Sequence, residues 1–136
     1  MYSNKRSFAQ GDSPLVRRRT LALVVDDEEM IRRMVGEQLT ELGYRVLLAS
    51  SGDDAYELAR DNPDIDLIIT DVRMPGKLNG FDLLELVSGK YPSVRSIVMS
   101  GFTGEATTRF GLANAYLRKP FTMSFLERHV CKVMAT

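Results

Sequence analysis

Five short, largely apolar runs punctuate the chain, and between them hydrophobic positions recur at helical spacing. The runs are Leu21–Val25 and residues 44–49, 65–70, 94–99 and 115–117. Their length and near-continuous apolar character are those of strands buried on both faces. After the first run, Ile31, Met34, Val35, Leu39 and Leu42 follow the 3/4 spacing of one buried helical stripe. Glu28 and Glu29 place negative charge at its start, and Gly43 sits where it should stop. Ser51-Gly52-Asp53-Asp54 reads as a helix cap ahead of Ala55, Leu58 and Ala59, and Asn62-Pro63 ends that helix. Phe81, Leu83, Leu84 and Val87 mark a third helix, ending near Gly89 and Pro92. Residues 103–114 mix Ala106, Phe110 and Leu112 with Gly104, Thr107, Thr108 and Gly111, which predicts a short or labile helix. Thr122 caps a last helix whose apolar positions are Phe125, Leu126, Val130 and Val133.

Five strands alternating with five helical patterns predict an α/β fold, a parallel sheet with right-handed crossovers. Residues 1–19 lack periodicity and are expected to form a flexible arm, leaving 20–136 as the domain. That arm carries Lys5, Arg6, Arg17, Arg18 and Arg19 against Asp12 alone, although the whole chain has a formal net charge of zero. A solvated tail explains such an arm better than a nucleic-acid contact, because the chain as a whole is not basic. Hydrophobic content of 44% and charged content of 26% suit a globular domain. No apolar run approaches the ~18 residues of a membrane span, and no secretory leader is read at the N-terminus. Cys131, the single cysteine, excludes an internal disulfide. The expected compartment is the cytoplasm.

The chemistry gathers at strand ends. Asp26-Asp27, Asp71, Ser100 and Lys119 fall at the carboxyl ends of the first, third, fourth and fifth predicted strands. Parallel strands bring those ends to one edge, where open α/β sheets bind ligands. Crowded carboxylates repel, and a hard divalent cation with oxygen ligands, Mg²⁺, relieves them. Lys119 adds a point charge able to hold a phosphoryl oxygen, and the Ser100 hydroxyl can donate to another. Asp71, delivered by the third run to the start of a Pro/Gly loop, is the expected phosphoryl acceptor.

Each of these residues also has a plainer explanation, and Asp71 taken alone would be a helix-capping or loop aspartate. Asp26 and Asp27 can cap the first helix, Lys119 can be a turn lysine before Pro120, and Ser100 a turn serine before Gly101. Tyr116 can be ordinary strand packing. His129 is read as structural, Cys131 as buried or inert, Arg32 and Arg33 as a solvated helix face, and Met30, Met34 and Met99 as core or rim filler.

Four segments in order carry a family resemblance: Val24-Val25-Asp26-Asp27-Glu28, Thr70-Asp71-Val72-Arg73-Met74-Pro75, Met99-Ser100-Gly101 and Tyr116-Leu117-Arg118-Lys119-Pro120-Phe121. From about residue 20 to residue 135 the chain resembles the receiver domain of bacterial two-component response regulators. The resemblance implies a doubly wound, flavodoxin-like sheet of order 2-1-3-4-5. It implies that Asp71 takes a phosphoryl group from a histidine kinase phosphohistidine. Mg²⁺ would be held by Asp71, directly by Asp27, largely through water by Asp26, and by the backbone carbonyl of Arg73. Lys119 would pair with Asp71 or its phosphoryl oxygens, with a cis peptide to Pro120. Ser100 would move toward the phosphoryl group and Tyr116 would rotate inward behind it.

The same resemblance implies output by docking of a face made of the fourth helix, fifth strand and fifth helix, with phosphorylation-dependent homodimerisation as a further expectation. The soft segment 103–114 is the natural element to respond. Two departures stand out. Four residues separate Pro75 from Gly80, one more than the common family loop. Arg73 and Phe102 occupy variable positions that tune acyl-phosphate lifetime, and a cation and a large ring there predict a slowly hydrolysing phosphoform; a half-life of seconds or less would reject this.

Three competing readings remain. A Mg²⁺-dependent aspartyl-phosphate hydrolase would want a second acid two residues after Asp71, where Arg73 stands. A receiver fragment of a hybrid histidine kinase would share every motif named. A constitutive interaction module or DNA-binding adaptor would not need the complete acid pocket, and only the basic arm favours it.

Overall fold

The structure is a computed structural model, and it describes residues 20–101 and 108–135, without the side chains of residues 108 and 110. Five strands, β1 Leu21–Val25, β2 Arg45–Ala49, β3 Ile65–Asp71, β4 Arg95–Ser100 and β5 Ala115–Arg118, form one parallel sheet of order β2-β1-β3-β4-β5. Four α-helices are described: α1 Glu29–Glu41, α2 Gly52–Asp61, α3 Gly80–Lys90 and α4 Met123–Met134.

Strand alternation separates two cores. Leu21, Leu23 and Val25 point to one face with Ile68 and the buried positions of α2 and α3, Ala55, Ala59, Phe81, Leu84 and Val87. Ala22 and Val24 point to the other with Leu67, Ile69, Ile97 and Met99, against Val35 and Leu39 of α1 and Leu126, Val130 and Val133 of α4. All five residues of β1 are buried, which explains why the central run contains no polar side chain until Asp26. Placing helices on both faces is the doubly wound arrangement expected.

Helix ends follow their sequence signals. Ser51 Oγ accepts the Asp54 N–H, Thr122 Oγ1 accepts the Phe125 N–H, and Asn79 and Asp82 form a reciprocal capping box at the start of α3. Gly43 adopts φ +98° just past α1, where a side chain would be strained.

The weak helical pattern of 103–114 appears, in its described part, as a short 3-10 segment, Thr108–Leu112, whose tighter turns suit short, glycine-containing stretches. Several other expectations need correction. Cys131 is exposed, not buried: Val130 and Val133 take the inward face of α4 and leave it outside. Met30 and Met34 are 73% and 42% exposed, so only Met99 fills the core. Phe125, expected on the buried stripe of α4, is an exposed ring beneath the Arg128 guanidinium. Arg32 is not merely solvated, since its Nη1 donates to the Asp26 carbonyl at 2.7 Å. Phe102 and the basic arm lie outside the described residues. Among the described residues no helix is long and apolar enough to cross a membrane.

Candidate functional site

The carboxyl ends of β1, β3, β4 and β5 meet on one edge and bring Asp26, Asp27, Asp71, Ser100 and Lys119 together. Carboxylate oxygens of Asp26, Asp27 and Asp71 all lie within 4.8 Å of one another. Lys119 Nζ lies 2.8 Å from Asp26 Oδ2, 3.4 Å from Asp71 Oδ2 and 3.4 Å from Glu28 Oε1. The lysine reaches the acids because β5 ends on the same edge as β1, and its own N–H donates to the Ser100 carbonyl at 2.8 Å. The Lys119–Pro120 peptide is cis.

The three acids occupy different environments. Asp26 is fully buried; its Oδ1 accepts the Glu28 N–H, its Oδ2 takes the lysine, and its own N–H donates to Ala49. Asp27 faces solvent. Asp71 is in between, with 14% of its side chain exposed and Oδ1 accepting the Val72 N–H at 2.8 Å. Burial and the neighbouring Asp26 charge push the Asp71 carboxyl above its ordinary range, while Lys119 and the Val72 amide pull it back. Burial alone would depress the Lys119 ammonium. The hydrogen bond to Asp26 and the charges of Asp71, Asp26 and Glu28 outweigh it and hold that pKa above its usual value.

Beside Asp71 opens a cleft of about 240 Å³ lined by Glu28, Asp71, Val72, Arg73, Ser100, Gly101 and Lys119. Its lining sets the acids Glu28 and Asp71 beside the bases Arg73 and Lys119 and the Ser100 hydroxyl. A carboxyl whose charge is raised in cost by its neighbours, next to an exposed aspartate, fits a hard divalent cation with oxygen ligands. Tyr116 is half-buried on β5 and packs against the core on the α2/α3 side, where burial raises its phenol pKa. His129 Nδ1 lies 2.9 Å from the Phe125 carbonyl on α4, with no place in the acidic cluster.

One member of the site escaped the sequence reading as a charge partner. Glu28 serves as the N-cap position of α1, without a side-chain cap bond, and directs its carboxylate toward Lys119. An acidic residue directly after Asp26-Asp27 was a signal for it, but a helix-dipole role accounted for that residue equally well.

Residues 22–130 match the family model for the response regulator receiver domain. Response regulator RR06 of Streptococcus pneumoniae is 38% identical over 111 residues, covering 79% of this chain and 50% of the relative. The sensor kinase/phosphatase LuxN of Vibrio campbellii is 36% identical over 132 residues, 93% of this chain but 15% of LuxN. A chemotaxis protein CheY homolog of Campylobacter jejuni is 36% identical over 120 residues, covering 84% of this chain and 92% of the homolog. The chain therefore spans half or less of the length of two of these relatives and nearly all of the third. Among solved structures, a response regulator receiver domain protein from Clostridium thermocellum superposes with a TM-score of 0.77 at 31% identity, over 85% of this chain and 94% of that one.

Proposed function

The chain belongs to the response regulator receiver family, and on that premise we propose that Asp71 accepts a phosphoryl group from the phosphohistidine of a histidine kinase or phosphotransfer protein. The observation that carries this reading is the meeting of Asp26, Asp27 and Asp71 within 4.8 Å, with the Lys119 ammonium 3.4 Å from Asp71. In the transfer, an Asp71 carboxylate oxygen forms the new P–O bond as the P–N bond of the phosphohistidine breaks. The departing imidazole keeps the electron pair. Lys119 offsets charge on the transferring oxygens, and Ser100, lining the same cleft, donates to one of them.

Asp27, Asp71 and the Arg73 carbonyl would hold Mg²⁺, with Asp26 joining through water. The ion supplies charge neutralisation at the phosphoryl group when bound. The low carboxyl affinity for its own charge at Asp71 favours that ion and is part of why it fits. The added phosphoryl charge is read out by Ser100 and Tyr116 and by the face of residues 108–114, β5 and α4, to which an effector protein or a second copy would dock. The receiver unit is taken as 20–136 and its compartment as the cytoplasm. The LuxN match favours a second setting for the same chemistry, a receiver unit within a longer sensor kinase.

Incubation with Mg²⁺ and acetyl phosphate should add one phosphoryl group as an acid-stable, base-labile acyl phosphate. The adduct should vanish in Asp71→Asn and on chelation of the metal. An adduct that persists in Asp71→Asn would place the acceptor elsewhere and overturn the assignment.

A further inference from the structure

The loop joining β3 to α3 leaves the site at Val72 and returns at Gly80, and it is fastened twice. At its base the Gly80 N–H donates to the Val72 carbonyl at 2.8 Å, and a Cβ at Gly80 would collide with the Asp71 carbonyl oxygen. Its apex is held by a different element. Asp53, the second residue of α2, accepts the Leu78 N–H at 2.9 Å and the Lys77 N–H at 3.2 Å. The same carboxylate lies against Gly76, whose φ of +98° suits glycine and whose added Cβ would meet it at 3.2 Å. Next to it, a Cβ on Gly52 would strike the Leu78 carbonyl. Backbone thus packs directly on the first turn of α2.

The Asp53 carboxylate is not needed by its own helix. Ser51 caps α2 through the Asp54 N–H, which leaves Asp53 to the loop. Two amides aimed at one carboxylate make charge-assisted hydrogen bonds, stronger than neutral ones. Between the two fastenings lies Arg73, which lines the cleft beside Asp71. A seven-residue loop closed only at its base would let that wall drift; closed at its apex as well, it cannot.

We propose that Asp53 is a positioning residue for the phosphoacceptor site: from α2 it fixes residues 76–78 and, through them, the Arg73 backbone at the wall of the cleft. The inference rests on the reading of the Arg73 carbonyl as a metal oxygen. It makes the first turn of α2 part of the device that sets metal affinity, although no α2 residue lines the cleft beside Asp71.

The test uses the full chain as wild type, Asp53→Ala, Asp53→Asn and Ser51→Ala. Two quantities are read: Mg²⁺ affinity by calorimetry, referred to the folded fraction from melts, and hydrogen exchange at the Lys77 and Leu78 amides without metal. Asp53→Ala should speed exchange at both amides and weaken Mg²⁺ roughly three- to tenfold, at or below the lower end for groups that orient a ligand. Asp53→Asn keeps an acceptor oxygen and should recover most of both. Ser51→Ala loosens the same helix turn without touching the loop, and should leave Mg²⁺ affinity within about twofold of wild type if the role is positional.

If Asp53→Ala binds Mg²⁺ like the wild type, or Ser51→Ala weakens it as much, the positioning role is wrong and the reading of the acidic site stands. If Asp53→Ala fails to fold, the residue is structural and the proposal falls. Wild-type protein that takes no Mg²⁺ would overturn the site reading and this inference with it.

Discussion

On the β1–β5 side of the site, Lys119 is 2.8 Å from a fully buried Asp26, a closely matched pair with Glu28 as a second acid at its exposed rim. At the end of β3, Asp71 keeps a carboxyl pushed up by burial and by Asp26, with Lys119 at a longer 3.4 Å, and Asp27 at the end of β1 stands in solvent near it. Both halves are built on an aspartate at a strand end, yet one carboxylate is buried against the lysine and the other stands farther from it and partly open. A buried pair contributes little net stability but is costly to break. An under-compensated carboxylate is cheap to neutralise with a cation or to modify. The difference teaches that the scaffold has closed its electrostatics around Asp26 and left Asp71 open for reaction.

The strongest way to break this comparison is Lys119→Met. Asp26, with no exposed surface, would lose its cation and be left without its partner. Removing one partner of a buried pair costs about 3–5 kcal/mol. Denaturant melts without metal should therefore show a loss of that size, and phosphorylation by acetyl phosphate should fall as well. A loss below about 1 kcal/mol would mean that water reaches Asp26 and that the two halves are not distinct.

Asp71→Asn tests the open half and should act in the opposite direction. A carboxyl raised in the fold binds its proton more tightly than in the unfolded chain, so ionising it opposes folding. The Asp71 contribution is most favourable below the ordinary carboxylate pKa and is lost as pH rises through the higher folded value. Asparagine removes that penalty. In chelator the variant should melt a few degrees above wild type at neutral pH, ~1 kcal/mol being worth roughly 4 °C in a domain of this size. The advantage should shrink as pH falls below the ordinary carboxylate range. Mg²⁺ should shrink it too, because it stabilises the wild type more than a variant lacking one of the three carboxylates. A variant less stable than wild type at neutral pH in chelator would show that Asp71 is already compensated.

The strands and the convergence at one edge were legible because β1 and β3 are near-continuous apolar runs, each ending in acid. No packing argument wants Asp26 or Asp71 there. What the sequence could not reveal is which acid takes the lysine: both strand ends are interior, and only their placement in space sets Asp26 at 2.8 Å and Asp71 at 3.4 Å from it. Asp53 was readable only as a helix-start acid, since its partners Lys77 and Leu78 lie 24 and 25 residues away and meet it in space. Arg32 was likewise read as surface, though it reaches back to the Asp26 carbonyl. Cys131, read as buried or inert for want of a partner signature, is exposed because Val130 takes the inward face and a one-residue step turns a helix position by about 100°. Residues 103–114 have the glycine and threonine content of a weak helix, and the 3-10 turn at Thr108–Leu112 follows from it.

The smallest effect sharpens the comparison most finely. Glu28 sits 3.4 Å from Lys119 with 65% of its side chain exposed, on the rim of the matched half. Water screens that contact, and exposed pairs are worth about 0–1 kcal/mol. Glu28→Gln keeps the shape and removes the charge, so the chain should lose no more than ~0.5 kcal/mol, and less at high salt. Phosphorylation by acetyl phosphate should hold within about twofold of wild type or rise slightly, because the lysine loses one competitor to Asp71. Should Glu28→Gln instead cost as much as Lys119→Met, Glu28 and not buried Asp26 would be the partner that anchors the lysine, and the matched half would lie at the surface.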